Sequence, residues 1–480
     1  MFWLILSVLY ISFILTLIFI PLVIFTAKRY FKKEKEKNKN NGQPFSVGFF
    51  HPYCSAGGGG ERVLWCAIKA IQKRYPQTKV IVYTGDLDAS PDEIIKKVKQ
   101  RFEITFPRDI EFIYLHKRKW IQASTYPYFT LLGQSLGSVI LGIEAMFSFL
   151  PDIYIDSMGF AFTLPLFSFI GGCTTACYVH YPTISTDMLK KVSSRQLSLN
   201  NRGTVARSPT LSSLKIIYYR IFAWMYSFCG RFSDTVMVNS SWTEDHINSL
   251  WKCSLSTHRV YPPCDTKSLK ELPMCKDIGE GGPINLVSVG QFRPEKDHPL
   301  LLKAMYELRQ IVSEQMWDQI KLIFIGSCRD MDDAVRVKDM KDLSKHLSLE
   351  NNVEFKVNIT FEELKQELSS SMIGLHAMWN EHFGIGVVEC MAAGHIMVAH
   401  RSGGPKEDII EESEGSRNGF LAADECEYAD AIATIIRMSP AARWKIREAA
   451  RSSVDRFSIE EFEKGFLRTI EPLFSKHLSK

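Results

Sequence analysis

No two of the 11 cysteines in this 480-residue chain form a C-x-x-C pair; Cys173 and Cys177 come nearest, inside an apolar run. An odd, scattered set argues against a disulfide framework or a zinc site, and for reduced thiols in a cytosolic compartment. A large excess of one charge is missing too. The net charge is only +5, part of it from one basic cluster at Lys28–Lys39, so nucleic acid is not an indicated partner. No repeat of short period is visible. No Gly-Lys-Ser/Thr follows the four glycines at 57–60, which excludes a Walker A loop, and they do not form the dinucleotide fingerprint either. Residues 2–26 contain no charged side chain. No basic segment precedes this run, and no small-residue cleavage site follows it, which counts against a cleaved signal peptide.

What is present fits a two-domain globular enzyme behind an anchor. Hydrophobic residues make up 46% and charged residues 23%, and the length has room for two domains and a linker. A helix over 2–26 would span about 30 Å of hydrocarbon or more. Lys28, Arg29, Lys32, Lys33, Lys35, Lys37 and Lys39 follow it, against Glu34 and Glu36. The positive-inside rule puts that side in the cytoplasm. The expected organisation is an anchor at 1–27, a basic tether at 28–44, an N-terminal domain at 45–264, a linker at 265–283, a C-terminal domain at 284–455 and a closing helix at 456–480.

Apolar runs alternate with amphipathic stretches in both halves, the pattern of parallel α/β sheets. Strands are expected at 45–50, 79–84, 110–115, 151–156, 174–178, 235–239 and 260–263, then at 284–289, 321–325, 353–356, 373–376 and 396–399. Residues 126–150 are unusually apolar and read as a buried or membrane-surface helix rather than a second span. Residues 191–212, rich in Ser, Arg, Asn and Thr without periodicity, read as a loop, and Tyr218–Cys229 as a helix.

Three stretches carry chemistry. Gly57-Gly58-Gly59-Gly60-Glu61-Arg62 follows a strand and opens a helix, where glycine lets backbone amides approach a phosphate. Val289-Gly290-Gln291-Phe292-Arg293-Pro294-Glu295-Lys296 follows another strand and offers Arg293 and Lys296 as cations for a leaving diphosphate. Glu381 and Glu389 stand eight positions apart around Phe383-Gly384-Ile385, with a helix expected to begin near Gly384. Its free amides would face an anion, and a carboxylate on either side could accept hydrogen bonds from sugar hydroxyls. The bare spacing also fits a buried helix with a solvated Glu at each end.

The flanking residues go further. Asn380-Glu381-His382-Phe383-Gly384-Ile385, Met391-Ala392-Ala393-Gly394 and Ser402-Gly403-Gly404-Pro405 resemble the E-x7-E region of retaining glycosyltransferases of the GT-B fold. Gly57–Arg62, Gly290–Lys296 and Tyr178-Val179-His180-Tyr181-Pro182 match that family in the right order, and the resemblance covers Phe45 to Leu473. One departure stands out: Gln291 occupies the usual Arg position, which leaves open whether Arg293 replaces that charge.

The resemblance implies two Rossmann-like α/β domains facing across a cleft, behind an N-terminal transmembrane helix. It makes His180 and Glu381 catalytic, and gives the donor to Arg293, Lys296, Phe383, Gly384, Ile385 and Glu389. Gly57, Gly58, Gly59, Gly60, Glu61 and Arg62 would form the acceptor or phosphate loop. Asp86, Asp156, Glu244 and His382 are unranked further candidates. Within the family, His51-Pro52-Tyr53-Cys54 and the three motifs are most similar to the dolichol-pathway alpha-1,2-mannosyltransferase group. That likeness implies GDP-mannose as donor, a dolichol-linked oligosaccharide as acceptor, no metal or other cofactor, and a place on the cytosolic face of the endoplasmic reticulum membrane, with other mannosyltransferases of the pathway as possible partners. A sister enzyme using another nucleotide sugar such as UDP-N-acetylglucosamine, or another lipid acceptor, is one alternative; an inactive membrane scaffold is another.

Overall fold

The computed structural model describes residues 2–188, 209–278, 283–328, 330–413 and 415–478. The chain divides into two compact units: Met1–Val238 with Thr243–Arg259 and Gly465–Lys480, and Asn239–Trp242 with Val260–Lys464.

The first unit is built on seven parallel strands: β1 Ser46–Phe50, β2 Lys79–Thr84, β3 Glu111–Tyr114, β4 Ile153–Asp156, β5 Thr174–Val179, β6 Thr235–Val238 and β7 Thr257–Arg259. Their order is β3-β2-β1-β4-β5-β6-β7. The continuous apolar runs are explained by burial on both faces, since all five residues of β1 and all four of β4 are buried. The last strand falls at 257–259, ahead of the expected 260–263, because Pro262 and Pro263 cannot donate to a ladder.

The second unit has six parallel strands: β8 Ile284–Val289, β9 Ile320–Gly326, β10 Val353–Val357, β11 Ile373–His376, β12 Ile396–His400 and β13 Gly419–Ala422, in the order β10-β9-β8-β11-β12-β13. β13 was not expected; it is only four residues long and opens on glycine, so it carries little periodicity.

In each sheet the strand order reverses once, between β1 and β4 and between β8 and β11. Ligands of open α/β sheets bind beyond the carboxyl ends of the strands at such a reversal. β1 and β4 pair through to Phe50↔Asp156, so His51 and Ser157 emerge side by side. β8 and β11 pair only at Ile373↔Leu286 and Gly374↔Val287, two residues short of the end of each strand.

Several other expectations meet a different structure. The basic stretch 28–44 is not a separate tether as far as Asn40, because one helix runs over Phe2–Asn40. Phe31 of that helix is buried against Phe147, with ring centroids 5.0 Å apart. The stretch 126–150 holds a helix at Thr130–Ser148, the one segment among the described residues long and apolar enough to cross a membrane by length and composition. Residues 189–208 of the expected loop lie outside the described residues, and the helix begins at Pro209 rather than Tyr218, running to Gly230. Within 265–278, Thr266–Lys270 is helical, with Thr266 and Leu269 buried. The closing helix is Ile459–Leu478. Its end belongs to the first unit, where Phe474 stacks on Tyr75 at 3.9 Å and His477 Nε2 lies 2.8 Å from Thr174 Oγ1.

Candidate active site

In the first unit the glycine run caps the helix Gly59–Arg74. Glu61 turns back so that its Oε2 accepts from the Gly58 amide at 2.5 Å, the reciprocal half of a capping box. Its other oxygen lies 3.3 Å from His51 Nε2, while His51 Nδ1 lies 2.9 Å from Ser157 Oγ. His180, at the end of β5, puts its Nε2 3.1 Å from the Ser157 carbonyl and stands against Gly60, where a Cβ would lie 3.5 Å from that nitrogen. The strand ends therefore bring Gly58, Gly60, Glu61 and His180 together with His51 and Ser157. Burial pushes the Glu61 carboxyl up, but the His51 bond and the Gly58 amide outweigh it and hold the carboxyl below its usual range.

The Gly57 carbonyl accepts from Arg101 Nε at 3.4 Å, and the Arg62 guanidinium lies over the Phe102 ring. Asp86 accepts from the Ser55 amide and hydroxyl and pairs with Arg118. Asp156 is fully buried, with one oxygen held by the Met158 and Gly159 amides and the other without a partner. Desolvation drives its pKa up to about 7. Glu244 pairs loosely with Arg259 at 3.8 Å.

In the second unit, Lys296 follows β8 and Glu381 follows β11. Lys296 Nζ and Glu381 Oε2 are 2.5 Å apart, and His376 Nε2 stands 3.0 Å from the same oxygen. The Tyr428 hydroxyl donates to the His376 carbonyl at 2.7 Å, which pins the strand end. Burial raises the Glu381 pKa, but the Lys296 charge and His376 overcome that and hold it well below the usual carboxylate range. Burial and the same lysine hold His376 below its usual value. His298, also buried, is pushed down to about 4 by desolvation and by Lys296, so it is neutral at physiological pH.

The loop bearing Glu381 leads into the helix Ile385–Ala392 through Gly384, whose φ of 111° only glycine adopts without strain. Gly403, at φ 62°, closes over it, and a Cβ there would sit 2.2 Å from the Glu381 carbonyl oxygen. Val387 and Val388 amides bond the Gly384 carbonyl, which leaves the Ile385 and Gly386 amides as the open first turn. Glu389 is half-buried in that helix. His382 packs against Trp242 at 5.2 Å between ring centroids.

Phe383 differs from the expected donor contact. Its side chain turns inward and is buried between Tyr261 and Phe457, at 5.7 and 5.2 Å, so only its backbone can take part in a site. Arg293 is half-buried and pairs with Glu295 at 3.5 Å. His51, Ser157, His376 and His298 were missing from the expected site. The signal that finds them is positional: His51 and Ser157 follow strand ends at one reversal of strand order, and His376 ends a strand at the other. Among the described residues, no group of three or more His, Cys, Asp or Glu is arranged to hold a metal.

The arrangement in the second unit offers amides of a helix N-terminus, a cation and a carboxylate within one loop system, which suits a phosphorylated sugar donor. Sequence comparison agrees. Residues 44–251 match the family described as ALG11 mannosyltransferase N-terminus, and residues 276–453 match glycosyl transferases group 1. The chain is 52% identical over 443 residues to the human GDP-Man:Man(3)GlcNAc(2)-PP-Dol alpha-1,2-mannosyltransferase, covering 92% of this chain and 90% of that one. It is 49% identical to the Dictyostelium discoideum enzyme of the same name over 453 residues, covering 92% and 88%. Among solved structures it resembles Anabaena HepE in complex with UDP and glucose, at 18% identity and a TM-score of 0.59, covering 88% of this chain and 99% of that one. It also resembles the sucrose-phosphate synthase of Thermosynechococcus elongatus, at 16% identity and a TM-score of 0.60, covering 90% and 100%. The two parallel sheets give the chain the GT-B fold, and its near full-length identity to these enzymes makes it a member of the GDP-Man:Man(3)GlcNAc(2)-PP-Dol alpha-1,2-mannosyltransferase family.

Proposed function

We propose that this glycosyltransferase moves mannose from GDP-mannose, in alpha-1,2 linkage, onto a dolichol-diphosphate-linked oligosaccharide. The observation that carries this is identity of 49–52%, over about nine-tenths of the chain, to enzymes named for that reaction. The donor belongs to the second unit. The Ile385 and Gly386 amides and Lys296 stabilise the departing diphosphate, with Arg293 as a second cation once it leaves Glu295. Glu389 holds the ribose and Glu381 the mannosyl ring. The acceptor belongs to the first unit, along Gly57–Arg62, with His180 as the catalytic residue that unit supplies.

Configuration is retained by front-face displacement. The bond from the anomeric carbon to the phosphate oxygen breaks, the acceptor hydroxyl oxygen bonds to the same face, and its proton passes to the departing phosphate. The Lys296–Glu381 contact supports this order of events. A bound diphosphate draws the ammonium toward itself, which frees a Glu381 oxygen for a sugar hydroxyl. The reaction needs no divalent metal, because Lys296 and the helix amides supply the positive charge. The uncharged 2–26 stretch and the basic residues behind it support anchoring in the endoplasmic reticulum membrane, with both units in the cytosol.

The test is turnover by detergent-solubilised full-length protein on a short mannosylated chitobiosyl-diphospho-lipid, without divalent metal, with GDP-mannose and UDP-sugars offered in parallel. Mannose incorporation, lost in Lys296→Ala and Glu389→Ala, is the expected result. Incorporation from a UDP-sugar instead, or from no donor by folded protein, rejects the reading.

A further inference from the structure

The backbone of Glu381 is fixed by the loop after β12. The Gly404 amide donates to the Glu381 carbonyl at 2.7 Å, and the neighbouring Asn380 amide donates to Ser402 Oγ at 2.7 Å. The side chain is held from elsewhere. Among the described residues its carboxylate meets two donors, both on Oε2: Lys296 Nζ at 2.5 Å and His376 Nε2 at 3.0 Å. The other oxygen, Oε1, makes no hydrogen bond among the described residues.

His376 is an unusual residue for its place. β11 reads Ile373-Gly374-Leu375-His376 and is buried throughout, so an imidazole stands where a buried strand ordinarily carries an apolar side chain. Burying that ring costs free energy unless its polar atoms find a use. The ring is also firmly placed, because the buried Tyr428 hydroxyl donates to the His376 carbonyl at 2.7 Å. Burial and the Lys296 charge hold His376 below its usual pKa, so at physiological pH the ring is neutral and carries one proton. Glu381, held well below the usual carboxylate range, is ionised and can only accept. The shared proton therefore sits on Nε2, and His376 is the donor.

A bound diphosphate acts differently on these two donors. Lys296 carries its charge on a flexible four-carbon stem, and its side chain is 23% exposed, against 8% for His376. The ammonium can therefore turn to a phosphate, while the imidazole stays at its strand end. Once the lysine has turned away, burial alone would push the Glu381 carboxyl up toward protonation, and a hydrogen bond to the charged form opposes that.

Resting on the donor assignment above, we propose that His376 is the positioning residue of Glu381. Its Nε2–H keeps hold of Oε2 after Lys296 has turned to the diphosphate, which leaves Oε1 and the vacated side of Oε2 for hydroxyls of the transferred sugar. His376 touches no substrate atom in this arrangement and acts only through the carboxylate. Its influence falls on the sugar half of the donor. The nucleotide half is held by the Ile385 and Gly386 amides, Lys296 and Glu389.

Calorimetric titration of detergent-solubilised full-length protein with GDP and with GDP-mannose separates the two halves, with melting temperature and turnover followed alongside. His376→Leu fills the space of the ring without a donor. It should weaken GDP-mannose about tenfold or more and lower kcat, while GDP affinity stays within about twofold of wild type. His376→Gln, whose amide nitrogen can take the place of Nε2, should recover most of the GDP-mannose affinity and turnover. His376→Asn, one carbon too short, should not. GDP-mannose affinity unchanged in His376→Leu overturns the proposal. So does equal weakening of both ligands in step with the melting temperature, which marks a structural histidine. Should His376→Leu fail to fold, the Gln and Asn variants decide, and equal behaviour of the two overturns the proposal. Wild-type protein that binds neither ligand removes the donor assignment and this proposal together, whereas active wild type beside an insensitive His376→Leu removes this proposal alone.

Discussion

Lys296 Nζ and Glu381 Oε2 lie 2.5 Å apart across 85 residues of sequence, at the point where the strand order of the second sheet reverses. The pair couples the loop after β8 to the loop after β11, so each residue holds the other in place.

Removing either member should therefore damage both. Lys296→Ala leaves a mostly buried carboxylate without its cation, and should cost on the order of 2 kcal/mol in stability. Glu381→Gln keeps the shape and should cost less, yet reduce turnover at least tenfold. Melting curves and initial rates on the two variants and the double variant check this. Additive losses in the double variant would show that the pair is not coupled.

His298 and His395 are both pushed down to about 4, chiefly by burial, from an ordinary value near 6.5. The unfolded chain takes up these protons below about pH 6.5, while the folded chain refuses them until about pH 4. Stability is thus full above pH 6.5 and falls as pH drops between those limits, by up to about 3 kcal/mol for each histidine. His395 Nε2 already donates to the Leu368 carbonyl at 2.8 Å, so His395→Gln can keep that bond. That variant should flatten the fall of melting temperature between pH 6.5 and 4. An unchanged slope would mean that His395 is not held neutral.

Asp156 works in the opposite sense. Its carboxyl is raised by burial from 3.8 to about 7, so the folded state favours the protonated form. Stability is lost as pH rises from about 4 toward 7 and stays reduced above that. Asp156→Asn should melt higher than wild type at pH 8 and lower at pH 5, where the neutral acid can donate a hydrogen bond. Parallel melting profiles would refute an ionised Asp156 at pH 8.

Phe383 separates structural from donor roles within one motif. Its ring packs between Tyr261 and Phe457, so Phe383→Ala should cost about 3–5 kcal/mol through the cavity it opens. Phe383→Leu should recover most of that stability with donor affinity intact. A variant that melts normally but has lost donor affinity would put the ring back in the site.

The legible part of the site followed local rules. Gly384 was recognisable as a helix start because Phe383-Gly384 breaks the pattern before a buried apolar helix, and the structure starts that helix at Ile385. The glycine loop at 57–60 was placed correctly before its helix, with the Gly57 carbonyl bonded by Arg101 and the Arg62 guanidinium over the Phe102 ring. His51, Ser157 and His376 were harder to see, because a residue at a strand end matters only when that strand lies beside a reversal.

By itself the sequence determined the alternation of buried strands and amphipathic helices, the uncharged N-terminal stretch with its basic flank, and the glycines that open helices. Each is written within a window of some ten to twenty residues, as hydrophobic period, charge or backbone freedom. Only the tertiary structure decided that Phe383 turns inward, that Lys296 meets Glu381, and that His51 meets Glu61 and Ser157. Those outcomes depend on which strands lie side by side, and strand order is set by packing whole layers together rather than by any local run of residues.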